Sequence, residues 1–278
     1  MSKTVDVIIP CYNEEKHIKE VLDRLSGQGA AIYVVDNGST DSTADVVRQY
    51  ARKASEVKYL LYTERRGAAA CRNFGFAMGK GEVVAFVDAD ELAPLDFIGR
   101  LRSVMAEYDA MVLTKRAWQP ERFLEKGWAA YRFSNEDRNR LLRVFKREIL
   151  EQTGPWDEKL FYYEEADLTE RYLSRIQRTL GRGARVFKDT EFCLAHRETA
   201  EWKDFVRQRI WQGRGVRTTR GSLHYFLPCI FPPVELAVLL RVAYDMARKK
   251  KPLHWSLYWA MMDFVGRYIS LYGYFKFK

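Results

Sequence analysis

Residues 83–90 read Val83-Val84-Ala85-Phe86-Val87-Asp88-Ala89-Asp90. The first five are apolar and rich in β-branched side chains, which predicts a buried strand. Asp88 and Asp90 follow at the carboxyl end of that strand, where open α/β sheets bind their ligands. Two carboxylates so close together repel each other unless a cation lies between them, and oxygen ligands suit Mg²⁺ or Mn²⁺. The alternative is an ordinary turn or helix cap, because Asp is common in turns.

The residues before this strand alternate between strand-like and helix-like segments. Apolar runs predict strands at 5–10, 31–35, 57–62 and 83–87, and helical periodicity predicts helices at 14–25, 42–53 and 67–78. This alternation predicts an α/β fold, a Rossmann-like, mostly parallel sheet with helices on both faces. Such a sheet gathers its loops at one edge. We therefore expect the polar loops after the strands to form a nucleotide-binding crevice.

Composition restricts the class of protein and its surroundings. The chain has 278 residues and a net charge of +9, which favours a phosphorylated substrate, an anionic membrane or nucleic acid. We expect no nucleic-acid partner, because the positive charge concentrates toward the tail and no recognised nucleic-acid motif occurs. Four scattered cysteines and the lack of a signal-peptide pattern predict a cytoplasmic protein with free thiols. The glycine-rich signatures of dinucleotide-binding and P-loop enzymes do not occur.

Four linked motifs in the first hundred residues resemble those of glycosyltransferase family 2. They are VIIPCYNEE at 7–15, VVDNGSTD at 34–41, GAAACRN at 67–73 and FVDAD at 86–90. A second block, GPWDE at 154–158 and FYYEEADL at 161–168, resembles the family's acceptor-side and catalytic-base motifs. The resemblance covers roughly residues 4–215. It implies the GT-A fold and an inverting, metal-dependent transfer of sugar from a nucleotide-sugar donor.

The resemblance also implies which residues bind the nucleotide. Nine positions match the family's nucleotide-binding motifs: Pro10, Tyr12, Asn13, Glu14, Asp36, Asn37, Gly67, Arg72 and Asp88. Tyr12 would stack near the base, while Asp36 and Asn37 would hold the base and ribose. The family most often has Asp at the position of Asn37, and an amide adds a hydrogen-bond donor there.

The metal site implied by the resemblance would bridge the donor diphosphate. Asp90 would ligate Mn²⁺ or Mg²⁺, and Asp88 would touch either the ribose or the cation. His196 follows an apolar run and could complete the metal site, although a lone His is more often structural.

The acidic cluster in the second block is predicted to supply the general base. The family usually has Asp at the position of Glu165, so Glu165 is the first choice and Glu164 the second. Asp167 is a further candidate or the start of a predicted helix at 168–180. For the acceptor or sugar we expect Trp156, either as a floor under a sugar ring or as a core residue, and Asp157. Arg209 and Arg214 could contact the sugar or diphosphate, or face solvent.

The last sixty residues lie outside the resemblance. We predict a catalytic domain at 1–221 and an amphipathic helical segment at 222–278. Prolines and charges interrupt its apolar stretches, so neither is a clean transmembrane helix. Aromatic residues beside Lys/Arg clusters in 223–275 favour the cytoplasmic surface of a membrane, where a lipid-linked acceptor could be presented. The alternative is a helical subdomain that packs on the core or forms a homodimer.

The function predicted from the sequence is an inverting, metal-dependent glycosyltransferase. A UDP-sugar is the expected donor, and a hydroxyl or lipid-linked phosphate is the expected acceptor in glycan, glycolipid or surface-polysaccharide synthesis. The alternatives are a GDP-mannose or dolichyl-phosphate type of sugar transferase, a nucleotidyltransferase, and an inactive scaffold on the same fold.

Overall fold

The computed structural model describes residues 3–122, 125–126, 129, 141–160, 163–196, 201–203, 205–207, 209–210, 240, 244, 248 and 264–272. The chain divides into two compact units. The first contains Met1–Thr114, Asn139–Lys159 and Glu164–Ala195, and the second contains Lys115–Arg138, Leu160–Tyr163 and His196–Lys278. The predicted boundary between residues 221 and 222 lies outside the described residues, so the division into 1–221 and 222–278 stays a prediction.

Strands and helices alternate along the chain as far as the fourth strand. The strands are β1 (Val5–Cys11), β2 (Ala31–Asp36), β3 (Val57–Leu61), β4 (Val83–Phe86), β5 (Glu91–Leu92), β6 (Ala110–Ala117), β7 (Leu142–Lys146) and β8 (Val186–His196). The helices are α1 (Ile18–Leu25), α2 (Thr43–Lys53), α3 (Ala68–Met78), α4 (Phe97–Glu107), α5 (Arg147–Thr153) and α6 (Glu164–Leu180).

The strands form one sheet in the order β3-β2-β1-β4-β7-β6-β8-β5. The first four predicted strands are present, and β1 pairs in parallel with both β2 and β4 while β2 pairs in parallel with β3. β7 runs antiparallel to its neighbours β4 and β6, which makes the complete sheet mixed. The predicted α/β class is confirmed, and the antiparallel β7 is an addition that the periodicity of the first half did not contain.

Small side chains on α3 let this helix lie close to β1 and β2. A Cβ atom added to Gly75 would approach Ile8 Cγ2 to 2.6 Å, so no larger residue fits without a shift. Ala69, Ala70 and Cys71 on the same helix are buried. This close packing brings Arg72, also on α3, to the carboxyl edge of the sheet.

Aromatic rings join the first half of the unit to the second. Phe86 at the end of β4 contacts Phe145 of β7 edge-on, with ring centroids 5.8 Å apart, and Trp156 at 5.2 Å. Phe145 in turn contacts Tyr172 of α6 at 4.9 Å. Burial of these rings provides a large hydrophobic stabilisation. The contacts fix the amino end of α6 beside the carboxyl end of β4.

The second unit has its own small apolar cluster. Phe205 is fully buried there, and Val265 and Ile269 of the helical stretch 264–272 pack against it. Across the part of the chain that the structure describes, we find no helix with the length and apolarity required to cross a bilayer.

Candidate active site

The carboxyl ends of β1, β2 and β4 lie side by side in the sheet. Cys11 pairs with Asp36 and Ile8 pairs with Phe86 in parallel register. Segments that follow parallel strands leave the sheet at the same edge, where α/β proteins bind ligands. The loops carrying Tyr12, Asp36 and Asp88 therefore meet at one edge, as the sequence predicted.

The loops after β1 and β2 are joined by hydrogen bonds. The Asn13 backbone N–H donates to Ser39 Oγ at 3.0 Å, and Asn13 Oδ1 accepts from the Thr40 N–H at 2.8 Å. Asn13 has a φ of +58°, which Asn tolerates better than most residues. The Glu14 N–H donates to Thr43 Oγ1 at 2.7 Å. In this structure Asn13 and Glu14 brace the loops, and their direct contact with a nucleotide stays a prediction.

Asp36 is fully buried at the end of β2. Its Oδ1 accepts from the Ser39 N–H and its Oδ2 from the Tyr59 hydroxyl, each at 2.8 Å. Burial and the bond to Asp36 both raise the pKa of Tyr59 far above its ordinary value, so Tyr59 stays a donor. The Asp36 carboxylate is therefore fixed in orientation before any ligand binds.

The neighbouring Asn37 organises the loop after β3. Its Oδ1 accepts from the Arg66 N–H at 2.7 Å and from the Gly67 N–H at 3.2 Å. Gly67 has a φ of +97° immediately before α3, in a region that favours glycine. These two contacts do not use the donor Asn37 Nδ2, and the predicted contact of Asn37 with a base or ribose stays a prediction.

Tyr12 is half-buried after β1, and one face of its ring is already covered. The Arg65 guanidinium lies 3.9 Å from the ring centroid, within the range of a cation–π interaction. A base that stacks on Tyr12 must use the other face or displace Arg65. Pro10, half-buried near the end of β1, pairs in register with Val35 beneath this site.

Six charged side chains at the same edge form what we call the arginine–carboxylate cluster. Its members are Arg72, Arg143, Asp88, Glu91, Glu164 and Glu165. The two arginines come from α3 and β7, and their side chains are only 4% and 3% exposed. Buried charges persist in proteins when they are paired, and here each guanidinium contacts at least three carboxylates.

Asp88 lies between the two guanidinium groups. Arg143 Nη1 and Nη2 donate to its two carboxylate oxygens at 3.2 and 2.8 Å, and Arg72 Nη2 donates to Oδ1 at 3.0 Å. Burial lowers the pKa of Arg143, but Asp88, Glu165 and Glu91 outweigh it and raise the pKa well above its ordinary value. Both Asp88 oxygens thus already serve ion pairs. The predicted ligation of a metal by Asp88 would have to share or break these contacts.

The two predicted bases also belong to the cluster. Glu165 Oε1 lies 2.9 Å from Arg143 Nη2 and 3.6 Å from Arg72 Nη2, and Glu164 Oε1 lies 3.3 Å from Arg72 Nη1. Burial raises the pKa of Glu164, and the charge of Glu165 raises it further against the opposing effect of Arg72. Both residues occupy the first turn of α6, which begins at Glu164 rather than at the predicted residue 168. A helix amino terminus stabilises carboxylates.

The third predicted catalytic residue, Asp167, lies apart from these ion pairs. Its Oδ2 accepts from Arg171 Nη2 at 2.6 Å, one helical turn along α6. Asp167 is in the first turn of the helix and is not its cap. This contact supports a helix-stabilising role for Asp167, and its catalytic role stays a prediction.

The donor set of this edge fits a hard divalent cation. Within the cluster four carboxylates face two guanidinium groups, so the ionised cluster retains an excess of negative charge. Asp90, half-buried, lies in a turn closed by the Glu91 N–H, which donates to the Asp88 carbonyl at 3.1 Å. Carboxylate oxygens are the ligands that Mg²⁺ and Mn²⁺ prefer. Asp90 would hold such an ion, with Asp88 as a second oxygen ligand.

His196 is the last residue of β8 and belongs to the second unit. Its backbone carbonyl accepts from the Trp118 N–H at 2.8 Å. Its predicted role as a metal ligand stays a prediction.

Of the two alternatives for Trp156, the structure supports the core residue, and the role as a floor under a sugar ring stays a prediction. The side chain is 3% exposed and belongs to the core, although it borders a cavity. Its ring packs edge-on against Phe86, and the Arg72 guanidinium lies 4.6 Å from its centroid. With its faces packed in this way the ring supports Arg72 from below.

Asp157 is exposed beside an open cavity of about 530 Å³. Its Oδ1 accepts from the Lys159 N–H at 2.9 Å. The cavity is lined by Asn73, Pro155, Glu158, Asp167 and Arg171 among others. The structure thus places Asp157 at a polar surface depression, which is compatible with the predicted acceptor side.

The two predicted acceptor arginines fall in the second unit. Arg209 is 7% exposed, and its guanidinium lies 5.3 Å from the Phe205 ring centroid. A Cβ added to Gly266 would meet Arg209 at 2.7 Å, which shows how closely the two pack. The alternative of a solvated basic surface is therefore wrong for Arg209. Arg214 lies outside the described residues.

Sequence reasoning missed Arg143, which contacts three carboxylates, as many as the predicted residue Arg72 does. The available signal was its position: a single arginine within the apolar strand Leu142–Lys146. A buried charge in a strand interior requires a partner. Tyr59 and Arg65 were also missed, and both lie next to predicted nucleotide-binding residues.

Comparison with known proteins agrees with this geometry. Among curated proteins, GlyG of Streptococcus pneumoniae is 30% identical over 116 residues, which is 41% of this chain and 38% of that protein. AglE of Haloferax volcanii is 36% identical over 91 residues, which is 31% of this chain and 30% of that protein. Both are named glycosyltransferases, and the match spans about a third of their length.

Solved structures share the fold at low sequence identity. A mannosyltransferase from Pyrobaculum calidifontis matches with a TM-score of 0.60 and 21% identity, covering 100% of this chain and 88% of that one. Residues 1–349 of Staphylococcus aureus TarS match with a TM-score of 0.57 and 16% identity, covering 96% and 90%. These likenesses agree with the predicted GT-A fold.

The family model described as glycosyl transferase family 2 matches residues 6–156, more than half of the chain. The matched segment runs from β1 to Trp156 and includes every loop that meets at the carboxyl edge of β1, β2 and β4. The chain therefore belongs to glycosyltransferase family 2.

Proposed function

We propose that this chain transfers a sugar, with inversion, from a nucleotide-sugar donor to a hydroxyl or lipid-linked phosphate acceptor, with a divalent cation. The observation that supports this most strongly is the arginine–carboxylate cluster at the carboxyl edge of the sheet. It fixes a carboxylate, Glu165, on the neighbouring helix, and Asp90 lies in the chain between two of its members, Asp88 and Glu91. A diphosphate leaving group and a general base are the two needs of such a transfer.

The donor would bind along the loops after β1, β2 and β4. Asp36 and Asn37 would orient the nucleoside, since their side chains are held by Tyr59 and by the backbone N–H groups of 66 and 67. Asp90 would hold the cation, which when bound offsets the negative charge that develops on the leaving diphosphate. Pre-oriented groups lower the cost of binding and reaction.

Glu165 is the base that we favour. With a hydroxyl acceptor, the oxygen forms its bond to the anomeric carbon as the bond to the diphosphate breaks, and the hydroxyl proton passes to Glu165. Arg143 Nη2 lies 2.9 Å from Glu165 Oε1 and fixes the position of the carboxylate that would take this proton. Glu164 is the second choice, because burial raises its pKa and favours its protonated form.

The nucleotide of the donor is UDP in our first proposal and GDP in the second. The TarS fragment has been solved with UDP and with UDP-GlcNAc, and the Pyrobaculum mannosyltransferase with GDP-Man and Mn²⁺. Asn37 presents an amide where the family most often has a carboxylate, so both bases belong in the test. A nucleotidyltransferase would require a basic, glycine-rich loop after β1, and residues 10–14 do not supply one.

The test measures nucleotide binding and donor turnover in parallel. UDP and GDP are titrated by calorimetry with and without Mn²⁺, and release of nucleoside diphosphate is followed for a panel of UDP- and GDP-sugars. Asp90→Ala should abolish metal-dependent binding, whereas Glu165→Gln should keep binding and lose turnover. Loss of both in Glu165→Gln would place the base elsewhere. Metal-dependent binding without any turnover would favour the inactive scaffold.

We also propose that the second unit docks on an anionic membrane surface. In the helical stretch 264–272, Phe264, Tyr268 and Tyr272 recur every four residues and are 50%, 45% and 55% exposed. Val265 and Ile269 face the unit's own core, so the aromatic stripe points away from it. Aromatic residues near basic ones suit the headgroup zone, and Arg248–Lys251 supply the basic run in the sequence.

Flotation of the full chain with phosphatidylserine vesicles tests this docking. We expect binding that weakens at high salt, and loss of binding in the triple variant Phe264→Ser, Tyr268→Ser, Tyr272→Ser. A matched triple serine variant at exposed Leu61, Met78 and Leu95 of the first unit should still float. If both variants float, or if neither does, the assignment of membrane binding to this stripe is wrong. If the triple variant at Phe264, Tyr268 and Tyr272 dissociates a dimer, the stripe is a dimer contact instead.

A further inference from the structure

We propose that Arg143 is a positioning residue that fixes the base Glu165 relative to the donor-side Asp88. The inference rests on the proposed function, since it concerns the geometry of that reaction. Arg143 Nη2 is shared between Asp88 Oδ2 at 2.8 Å and Glu165 Oε1 at 2.9 Å. A single planar group thus sets the distance between the donor side and the base side of the site.

The guanidinium joins the segment that follows β4 to α6, which begins more than seventy residues later in the chain. Asp88 follows β4, Glu91 lies in β5 at 3.7 Å from Arg143 Nη2, and Glu165 lies in the first turn of α6. Arginine offers donors in a rigid fork, so it fixes both direction and distance of its carboxylate partners. A lysine at the same position would supply one point charge without that geometry.

The strand that carries Arg143 is itself anchored on both sides. β7 pairs with β4 and β6, and the Leu142 N–H donates to Thr169 Oγ1 of α6 at 3.0 Å. The Lys146 N–H donates to the Tyr172 hydroxyl of the same helix at 3.0 Å. These bonds hold α6 on β7 without Arg143. Loss of the guanidinium should therefore release the Glu165 side chain while the helix stays in place.

Arg72 cannot replace Arg143 in this role. Its distance to Glu165 is 3.6 Å, outside hydrogen-bonding range, and its closest contacts go to Asp88 and Glu164. Its guanidinium is also held over the Trp156 ring at 4.6 Å. Arg143 is thus the near partner of the base.

The test is a double-variant cycle on the full chain with Mn²⁺ and the nucleotide-sugar that the wild type turns over. Arg143→Lys should lower kcat about 100-fold, the effect of misplacing a reacting group by about 1 Å, with little change in donor KM or in nucleotide Kd by calorimetry. Because Arg143 acts through Glu165, the residual turnover of the double variant Arg143→Lys/Glu165→Gln, measured at high enzyme concentration, should equal the residual turnover of Glu165→Gln.

Arg147→Lys is the matched control. Arg147 Nη2 forms a comparably buried pair with Asp6 at 2.8 Å, near the start of β1 and away from the cluster. This variant should keep kcat at temperatures where it stays folded. Provided that the wild type is active, three results would overturn the inference. They are an unchanged kcat in Arg143→Lys, a further loss of kcat in the double variant, and a joint loss of kcat, nucleotide binding and melting temperature in Arg143→Lys. An inactive wild type would overturn the proposed function itself.

Discussion

Replacing Asp88 by Asn should destabilise the protein even when no metal or nucleotide is present. Asp88 accepts three contacts of 2.8 to 3.2 Å from two buried guanidinium groups. Breaking a fully buried ion pair costs about 3–5 kcal/mol. The cost here is smaller because Asp88 is 26% exposed and Asn keeps one acceptor oxygen. Arg143 also keeps Glu165, and Arg72 keeps Glu164.

We expect a loss of about 2 kcal/mol in the free energy of unfolding, roughly 4–8 °C in Tm for a chain of this size. The assay is urea unfolding and thermal melting in EDTA, so that a bound cation cannot contribute. Asp90→Ala is the matched control and should cost about 1 kcal/mol or less, as a half-buried turn residue. If in EDTA Asp90→Ala lowers the stability while Asp88→Asn does not, Asp88 does not organise the arginines. The roles that we give to Asp88 in the ion pairs and to Asp90 in metal binding would then be wrong.

Three further changes test the packing and the charges of the first unit. Trp156→Phe should cost about 1–2 kcal/mol of stability as a partial core truncation and leave donor turnover nearly intact. A raised acceptor KM without a stability loss would instead support the role as a sugar floor. Burial raises the pKa of Asp109, but bonds from Arg182, Arg185 and Lys146 outweigh it and hold the pKa well below its usual range. The stability that Asp109 contributes is therefore full above about pH 4 and is lost as the pH falls further. The urea midpoint of Asp109→Asn should fall less than that of the wild type between about pH 5 and about pH 3. An equal fall in both proteins would refute this. Gly75→Ala should cost about 1–3 kcal/mol in urea unfolding, because its Cβ would lie 2.6 Å from Ile8, and an unchanged midpoint would show that β1 gives way.

Local pattern was sufficient to predict the first half of the fold. Apolar runs and helical periodicity gave β1 to β4 and α1 to α3 with ends within a few residues, because each signal is contained in ten or so neighbouring positions. The order of the loops along parallel strands then brought Tyr12, Asp36 and Asp88 to one edge.

The contacts that organise the site depend on residues distant in sequence. Arg143 is 55 residues from Asp88, and neither residue's local pattern reveals the other. The sequence alone allows Trp156 to be a sugar floor or a core residue. Its place in the core depends on the contacts of its ring with Phe86 and Arg72. The start of α6 was placed four residues late, because a run of acidic residues resembles a cap as much as a first turn. Tertiary packing decided each of these.

The most direct test of the central claim is release of nucleoside diphosphate from UDP-GlcNAc, GDP-mannose and related donors in Mn²⁺ and in EDTA. We predict that at least one donor is turned over by the wild type in Mn²⁺, that EDTA stops the reaction, and that Glu165→Gln stops it while nucleotide binding persists. Turnover of no donor, or equal turnover in Glu165→Gln, would contradict the assignment of this edge of the sheet as a sugar-transfer site.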